Sequence, residues 1–413
     1  MNASAKRLMT LSLLFILLTG QALRAQSYVG RFLRADSLPI VFNMEAGRDA
    51  RGANWIIRNA GERLKIDRLT RRGDSVVVEM PVFESELRLK TDRSGRMLGD
   101  WIKGTTGADI LQPVVITPGK IRFPLHAGPA RVDVSGTWSV RLRRPDGTFR
   151  QAIAVFSQKG SALTGTFLTP TGDYRYLEGV VSGDSLQLSC FDGSHAYYFG
   201  ARLTPEGILT NGVFASGLRH LEPWSAIRDA SATLDPTVAA MSLRPGNDSL
   251  RFSFPDLDGR MISLRDERFR NKVVIIQIMG SWCPNCMDET IFLSDFYRRN
   301  ASRGIEVVAL AYEYSTDAER ARRSLMKFRD RFDVRYPMLI TGVTSADSLR
   351  TEKTLPELTP IKAFPSTIFI GRDGKVKSIH AGFSGPATGL HHEAFKQEFD
   401  RTIRALQSSG ANL

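Results

Sequence analysis

The cysteine pair Cys283 and Cys286 is the part of the sequence best suited to chemistry. It follows the apolar run Val273–Met279, which is typical of a buried central strand, and it precedes residues 284–300, which suit a helix. Two intervening residues at a helix N-terminus let the two sulfurs approach bonding distance. The unsatisfied N–H groups and the positive end of the helix dipole stabilise a thiolate at Cys283. Because a thiolate is the attacking species in thiol–disulfide exchange, we predict that Cys283 is an exposed nucleophile and Cys286 the more buried, resolving thiol.

Other uses of this pair fit the sequence less well. A zinc half-site would need two further ligands, yet the only other cysteine is Cys190, and the six histidines show no paired metal spacing near the motif. A purely structural disulfide is disfavoured by the strand-to-helix context. A peroxidase of the peroxiredoxin type would need its cysteine in a loop rich in Pro and Thr, whereas Cys283 follows Trp282 in a paired motif. We therefore predict redox chemistry with neither a metal nor another cofactor.

The elements around the pair predict an α/β domain over residues 246–413. Residues 305–312 form a second apolar strand, and residues 317–332 place apolar side chains at steps of three and four, as in a helix with one buried stripe. The turn Arg372-Asp373-Gly374 joins two short strands into a hairpin, and a closing helix follows. The order strand, helix, strand, helix, hairpin, helix predicts a sheet that mixes parallel and antiparallel strands.

The rest of the mature chain is typical of antiparallel β-structure, with short alternating stretches broken by Gly, Asp, Asn and Pro. A weak internal repeat relates Gly73-Asp74-Ser75-Val76 to Gly183-Asp184-Ser185-Leu186. We predict an all-β region made of two modules, residues 26–125 and 131–229, packed as a sandwich or as barrels. Residues 230–245 are small, polar and punctuated by proline, which predicts a linker.

Residues 1–25 have the layout of a signal peptide. Lys6 and Arg7 precede an apolar run from Leu8 to Leu18, and small and polar residues follow up to Ala25. A run of this length spans about 16 Å of helix, well short of the roughly 30 Å of a bilayer core. We predict cleavage after Ala25 and a mature protein without a transmembrane helix, located in the periplasm or secreted. An uncleaved membrane anchor stays open as the alternative.

Length and composition exclude several classes of protein. A chain of 413 residues is expected to form two or three domains, and 42% hydrophobic with 24% charged residues excludes a disordered, collagen-like or multispanning membrane protein. The net charge of +13 is evenly spread, since residues 26–235 carry 27 basic and 22 acidic side chains and residues 236–413 carry 26 and 21. Without a concentrated basic stripe, we predict no nucleic-acid partner.

These motifs together resemble the thioredoxin superfamily, and within it the TlpA/ResA type of extracytoplasmic thiol–disulfide oxidoreductases. The resemblance covers about residues 245–406 and rests on three segments, namely Trp282-Cys283-Pro284-Asn285-Cys286, Phe364-Pro365-Ser366-Thr367 and the Asp373-Gly374 hairpin. It implies a thioredoxin fold in which a cis-proline, here Pro365, faces the cysteine pair. It also implies a substrate surface formed by Trp282, Pro284, Phe364 and Pro365, a disulfide-containing protein as substrate, and a membrane-linked electron donor.

Two polar residues near the pair have alternative roles. Glu289 stands three residues after Cys286 on the same helix face. The resemblance implies that this carboxylate assists proton transfer at the resolving cysteine, whereas an ordinary surface carboxylate in the first turns of the helix is the other interpretation. Gln277 occupies the position at which thioredoxins proper carry a buried aspartate. Because Gln277 cannot titrate, we predict a hydrogen-bonded polar residue in the central strand and leave proton transfer to Glu289 or water.

The remaining candidates have simpler interpretations. We predict that Cys190 is a buried small hydrophobe, since it shares one face of an alternating strand with Leu186 and Leu188. His391-His392 lacks supporting metal ligands. The basic run from Arg320 to Arg331 is interpreted as a solvated helix face, with docking of an acidic partner as the alternative. Residues 341–361 exceed a normal loop and predict a helical insertion near the site.

The sequence therefore predicts an extracytoplasmic thiol–disulfide oxidoreductase that exchanges a Cys283–Cys286 dithiol with a partner protein, more as a reductase than as an oxidant. A rival hypothesis is a cell-envelope binding protein in which the β-modules recognise the ligand and the redox domain regulates them.

Overall fold

The computed structural model describes residues 26–49 and 52–408. The predicted signal peptide lies outside the described residues. Within the part of the chain that the structure describes, no helix is both long enough and apolar enough to cross a bilayer.

The first nine strands form one antiparallel sheet that we call the first β-module. Each strand pairs with the next along the chain except β4 and β5, which are the two outer strands. Strands β1 and β9 pair with each other in the middle of the sheet. The strands are β1 (Gln26–Phe32), β2 (Ile40–Asp49), β3 (Gly52–Asn59), β4 (Glu62–Ile66), β5 (Leu69–Arg72), β6 (Ser75–Glu79), β7 (Ser85–Thr91), β8 (Met97–Lys103) and β9 (Ile110–Pro118).

The next nine strands form the second β-module, a barrel around a core of stacked aromatic rings such as Phe167 and Phe199. The strands are β10 (Gly136–Arg143), β11 (Phe149–Lys159), β12 (Ala162–Thr169), β13 (Gly172–Asp173), β14 (Leu177–Ser182), β15 (Ser185–Phe191), β16 (Ala196–Leu203), β17 (Ile208–Ser216) and β18 (His220–Arg228). Pairing of β10 with β18 and of β11 with β12 closes the barrel, and β13 adds to β12 outside the ring. The predicted all-β N-terminal region is confirmed.

The weak sequence repeat marks equivalent turns of the two β-modules. Gly73 lies in the turn before β6 and Gly183 in the turn before β15, and both have φ near +60°. Gly95 and Gly207 occupy the turns two strands further on, with φ of 79° and 78°. Glycine suits these positions because other residues rarely adopt positive φ.

The C-terminal part is a mixed sheet with helices, preceded by a short hairpin. Its strands are β19 (Ser253–Pro255), β20 (Met261–Ser263), β21 (Val273–Met279), β22 (Ile305–Ala311), β23 (Met338–Ile340), β24 (Ser366–Ile370) and β25 (Val376–Ala381). Its helices are α1 (Pro284–Asn300), α2 (Ala318–Phe332), α3 (Arg350–Thr354) and α4 (Leu390–Ser408). Strand order is β23-β22-β21-β24-β25, with β22 parallel to β21 and β24 antiparallel to it. This is the thioredoxin fold that the resemblance implied, and we call it the redox domain.

The shortest strands were not predicted from the sequence. Strand β23 and the hairpin of β19 and β20 have only three residues per strand, too few to show a period. The predicted helical insertion at 341–361 contains the five-residue helix α3. Within the predicted linker, Met241 packs in the core of the redox domain, and Ser242 exchanges hydrogen bonds with Thr359, so this end of the segment is held to that domain.

The basic face of α2 is solvated only in part, since Arg323 and Arg331 are exposed but two other basic residues contact the first β-module. Arg320 forms an ion pair of 2.6 Å with Glu84 of the first β-module, and Lys327 lies 3.7 Å from Glu79 of the same module. The acidic partner that the alternative interpretation required therefore lies within the chain. Apolar side chains also contact each other between the first β-module and the redox domain, since one cluster of buried residues includes the cores of both.

Candidate active site

The cysteine motif lies where the central strand of the redox domain ends and its first helix begins. Strand β21 is buried along its whole length, and α1 begins at Pro284, whose missing N–H is not needed in a first helical turn. Cys283 is the N-cap residue of α1 in an extended conformation, and its Sγ accepts a hydrogen bond of 3.2 Å from the backbone N–H of Cys286. A donor aimed at the sulfur stabilises negative charge there.

The second wall of the site comes from the segment before β24. The peptide bond between Phe364 and Pro365 is cis, as the resemblance implied. The carbonyl oxygen of Phe364 lies 3.5 Å from Cys283 Sγ. Both residues therefore lie beside the sulfur that was predicted to be the nucleophile.

Cys283 is less accessible than predicted. Its exposed fraction is 6%, although the first cysteine of such a motif was expected to be exposed. The expectation considered only the redox domain, whereas the hydroxyl of Ser194, from the second β-module, donates a hydrogen bond of 2.9 Å to the carbonyl oxygen of Trp282. The covering residues come from a different module, so the local motif could not reveal them.

Cys286 is fully buried, in agreement with its predicted position below the first cysteine. Burial raises the pKa of the Cys286 thiol well above its usual range, and the neighbouring sulfur of Cys283 and the carboxylate of Glu289 act in the same direction. All three cysteines lie in the described part of the chain, and no disulfide joins them there.

Glu289 lies beneath the cysteine pair and is fully buried, so the surface-carboxylate interpretation is wrong. Its Oε1 accepts a hydrogen bond of 2.6 Å from the hydroxyl of Thr367, and its Oε2 accepts one of 2.9 Å from Nε2 of Gln277. Burial raises the pKa of Glu289 to about 7, despite these two hydrogen bonds. A carboxyl group with this pKa can hold or release a proton near neutral pH.

Gln277 is a hydrogen-bonded residue of the central strand, as predicted. Besides donating to Glu289, its side chain accepts hydrogen bonds of 3.3 Å from the hydroxyls of Thr290 and Tyr336. The amide therefore fixes the position of the buried carboxyl group, and it carries no charge that would compete with it.

Trp282 forms a fixed side wall. Its Nε1 donates a hydrogen bond of 2.8 Å to the carbonyl oxygen of Tyr312, and its ring stacks on Tyr314 with centroids 5.3 Å apart. The ring also meets Phe364 edge-on at 5.5 Å. Trp282, Pro284, Phe364 and Pro365 thus surround the cysteines, and their predicted contacts with substrate stay a prediction.

A second buried carboxylate, Glu313, lies beside the motif and was not predicted from the sequence. It follows β22, accepts two hydrogen bonds from Ser281, and has a pKa raised to about 7 by burial. One feature of the sequence could have revealed this residue. An acidic residue directly after a buried strand lies at the sheet edge where the active-site loop also lies.

Arg175, in the turn between β13 and β14, was not predicted from the sequence either. Its guanidinium makes two hydrogen bonds of 2.8 Å to Asp288, two residues after Cys286, and an ion pair of 2.8 Å with Glu62. No local pattern marks Arg175, because its partners are distant in sequence.

The other candidates stay outside the site. Cys190 is buried in the core of the barrel, as predicted, and burial raises the pKa of its thiol well above the usual range. His392 bonds the carbonyl oxygen of Ser384 at 2.8 Å. Among residues 26–49 and 52–408, no cluster of three or more His, Cys, Asp or Glu side chains is arranged to hold a metal ion.

Fold, cis-proline and cysteine pair together define the C-terminal part as a thioredoxin-fold domain with the site of a thiol–disulfide oxidoreductase. Residues 244–391 match the family model described as Redoxin. The chain is 27% identical over 131 residues to the thiol-disulfide oxidoreductase ResA of Bacillus thuringiensis subsp. konkukian (strain 97-27), which covers 32% of this chain and 66% of that protein. It is 23% identical over 169 residues to ResA of Bacillus subtilis (strain 168). This match covers 41% of this chain and 81% of that protein.

One solved structure with a similar domain is a putative Thiol:disulfide interchange protein DsbE from Chlorobium tepidum. It is 22% identical, with a TM-score of 0.30, and the match covers 39% of this chain and 99% of that chain. The chain thus spans just under two thirds of the curated relative it matches first, and the matches cover its C-terminal part.

Proposed function

We propose that the protein is a thiol–disulfide oxidoreductase that exchanges the Cys283–Cys286 dithiol with a disulfide in a partner. One observation carries this proposal. Cys283 Sγ accepts the Cys286 N–H at the start of α1, beside the carbonyl oxygen of Phe364. A donor that holds the charge on the sulfur is what a nucleophilic cysteine needs.

The first step forms a mixed disulfide. The Cys283 thiolate attacks one sulfur of the substrate disulfide, a new S–S bond forms, and the substrate's own S–S bond breaks. The second substrate sulfur leaves as a thiolate and takes a proton from solvent. No net oxidation has occurred at this stage, because one disulfide has replaced another.

The second step releases the substrate. Cys286 loses its proton and attacks Cys283 Sγ, so that the Cys283–Cys286 disulfide forms and the substrate's first sulfur departs as a thiolate. Two electrons have passed from the dithiol to the substrate. Burial makes the Cys286 thiol a poor acid, and the Glu289 carboxylate, with its pKa of about 7, is the buried group suited to accept its proton.

We propose the reductase direction, with a membrane-linked donor restoring the dithiol outside the cytoplasm. The predicted signal peptide and the resemblance to the TlpA/ResA type support this proposal. N-terminal sequencing of protein isolated from producing cells tests the location. We expect the mature chain to begin at Gln26 and to be found outside the cytoplasm, whereas an intact Met1 in the cytoplasm would contradict it.

A trapping experiment tests the chemistry. In Cys286→Ala the mixed disulfide on Cys283 cannot be resolved, so the substrate should stay attached and be identified by mass spectrometry. The matched control is the double variant Cys283→Ala, Cys286→Ala, which should trap nothing. If folded Cys286→Ala accumulates no Cys283-dependent adduct, the proposal fails.

A role of the β-modules in recognition is the second candidate. The contact between Ser194 and Trp282 favours it, because the second β-module reaches the residue before the nucleophile. The rival form of this hypothesis, a binding protein regulated by its redox domain, requires that ligand binding to the β-modules changes between the dithiol and disulfide states. Equal affinity in both states would exclude it.

A further inference from the structure

Two loops of the second β-module lie over the cysteine motif. In the loop after β15, Ser194 Oγ bonds the carbonyl oxygen of Trp282, the residue before Cys283. At the start of β13, Gly172 lies so close to Asn285 that an added Cβ would sit 2.7 Å from Asn285 Nδ2. The two loops thus contact the motif on both sides of the nucleophile. We call them the covering loops, residues 170–175 and 191–195.

The loop that carries Ser194 is held in a defined shape. Asp192 Oδ1 accepts hydrogen bonds of 2.9 Å and 2.6 Å from the backbone N–H groups of Ser194 and His195. Lys103 of the first β-module donates a hydrogen bond of 2.7 Å to the carbonyl oxygen of Ser194. Both β-modules therefore fix the position of this loop.

Arg175 fastens the covering loops to the redox domain. It is 4% exposed, and its guanidinium binds Asp288 of α1 through two parallel hydrogen bonds, binds Glu62 of the first β-module, and lies 3.7 Å from Asp192. Asp173, the last residue of β13, accepts hydrogen bonds from the backbone N–H of Gly385 at 2.7 Å and of Arg175 at 2.6 Å. One buried cation thus joins all three parts of the chain, and breaking such a group of ion pairs is costly.

Apolar packing keeps the modules together as well. Met80 and Val82 of the first β-module belong to the same buried cluster as Met287 of α1 and Cys283 itself. Separating the modules would expose this surface to water, which opposes opening. The covering loops are therefore part of the folded site.

We infer that the covering loops make the site selective for narrow disulfides, carried on small molecules or on extended chain segments, over disulfides on the surface of a folded protein. This inference rests on the proposed function. A thiolate must reach the sulfur it attacks to within roughly 3 to 3.5 Å in line with the S–S bond. A convex protein surface is hindered from bringing a disulfide that close to the sulfur of Cys283, a residue that is 6% exposed between two loops.

The first test uses the unmodified protein in its dithiol form. We measure the rate of reduction of oxidised glutathione, of two ten-residue peptides linked by one disulfide, and of the same disulfide inside the folded protein from which the peptides derive. We expect the peptide disulfide to react at least about tenfold faster than the folded one, corrected for the intrinsic rates measured with dithiothreitol. Equal corrected rates would overturn the inference. Oxidised glutathione distinguishes a small-molecule preference from an extended-chain preference.

The second test loosens the covering loops in the full chain. Arg175→Met removes the cation that joins the loops to α1, and Ser194→Ala removes the bond to Trp282 while leaving Arg175 in place. The matched control is Arg202→Met, since Arg202 also pairs with a carboxylate of the second β-module, Asp184, but at the exposed surface. We expect either loop variant to raise the ratio of the folded-substrate rate to the glutathione rate several-fold, whereas Arg202→Met should leave this ratio unchanged.

The outcomes separate this inference from the proposed function. If the wild-type protein reduces none of the three disulfides, the proposed function fails. If it reduces all three, and the folded loop variants keep the wild-type ratio of rates, only the inference fails. If Arg175→Met does not fold, the inference is still tested by Ser194→Ala and by the three disulfide substrates measured with the wild-type protein.

Discussion

Ser281 gives two hydrogen bonds to one buried carboxylate. Its backbone N–H lies 2.8 Å from Oε1 of Glu313, and its hydroxyl lies 2.5 Å from Oε2. Because Trp282 also bonds the carbonyl oxygen of Tyr312, three hydrogen bonds tie the loop before Cys283 to the end of β22. Glu313 is therefore a positioning residue for the nucleophile.

Glu313→Ala should destabilise the protein and slow the exchange reaction. The substitution leaves two buried donors of Ser281 without a partner, which costs about 1 to 3 kcal/mol. Urea unfolding at pH 5 measures the loss, because the contribution of a group whose pKa is raised to about 7 is lost at higher pH. We also expect a reduction of roughly tenfold in the rate of disulfide reduction, since a displaced loop moves Cys283.

Glu319→Ala is the matched control, because Glu319 is an exposed acidic residue in the first turn of the nearby α2. A surface substitution of this kind changes the free energy of unfolding by less than about 0.5 kcal/mol. If Glu313→Ala behaves like Glu319→Ala in both assays, Glu313 does not position the loop.

The raised pKa of Glu289 predicts how the free energy of unfolding depends on pH. Its pKa is about 7 in the folded protein, above the ordinary value of 4.5, so the folded state binds the proton more tightly. Its contribution to stability is present below pH 4.5 and is lost as the pH rises through 7. Glu289→Gln cannot titrate. We expect the wild-type protein to lose about 2 kcal/mol more than this variant between pH 5 and pH 8.

Urea unfolding of both proteins at the two pH values measures this difference. Gln is a suitable replacement, because the hydroxyl of Thr367 can accept a hydrogen bond as well as donate one. Glu313 titrates in the same range but is present in both proteins, so it cancels in the comparison. Parallel pH profiles for the two proteins would show that Glu289 is already charged at pH 5.

The sequence predicted the chemistry of the redox domain because its signals are local. A buried strand, a cysteine pair with two intervening residues and a proline at the first helical position follow one another within residues 273–286, and the structure has them in that order. Helix α1 begins and ends where it was predicted, since its boundaries depend on that local pattern.

The surroundings of the nucleophile could not be predicted in the same way. The low exposure of Cys283, the burial of Arg175 and the pairing of Arg320 with Glu84 depend on contacts between residues more than 80 positions apart. Such contacts leave no periodic pattern. All the charges of α2 were interpreted as solvated for that reason, although Arg320 and Lys327 have acidic partners in the first β-module.

The three thiols should differ in reactivity toward iodoacetamide. We expect Cys283 to be labelled first in the native dithiol protein, because Cys286 and Cys190 are buried and burial raises the pKa of both thiols. Peptide mapping by mass spectrometry measures the three rates, and unfolding in urea should equalise them. Labelling of Cys190 as fast as Cys283 in the native protein would contradict the buried position of Cys190.

The buried ion pairs of α1 should be far more important for stability than its exposed ones. Asp288 accepts two hydrogen bonds from the buried Arg175, whereas Asp295, two turns along the same helix, pairs with Arg299 at the surface. Asp288→Asn leaves the guanidinium with one strong partner fewer, and we expect a loss of about 3 kcal/mol in the free energy of unfolding. Asp295→Asn should change it by less than about 0.5 kcal/mol, because exposed pairs are screened by water and salt. Chemical denaturation of the two full-length variants measures both values, and equal effects would mean that Arg175 does not hold the three parts of the chain together.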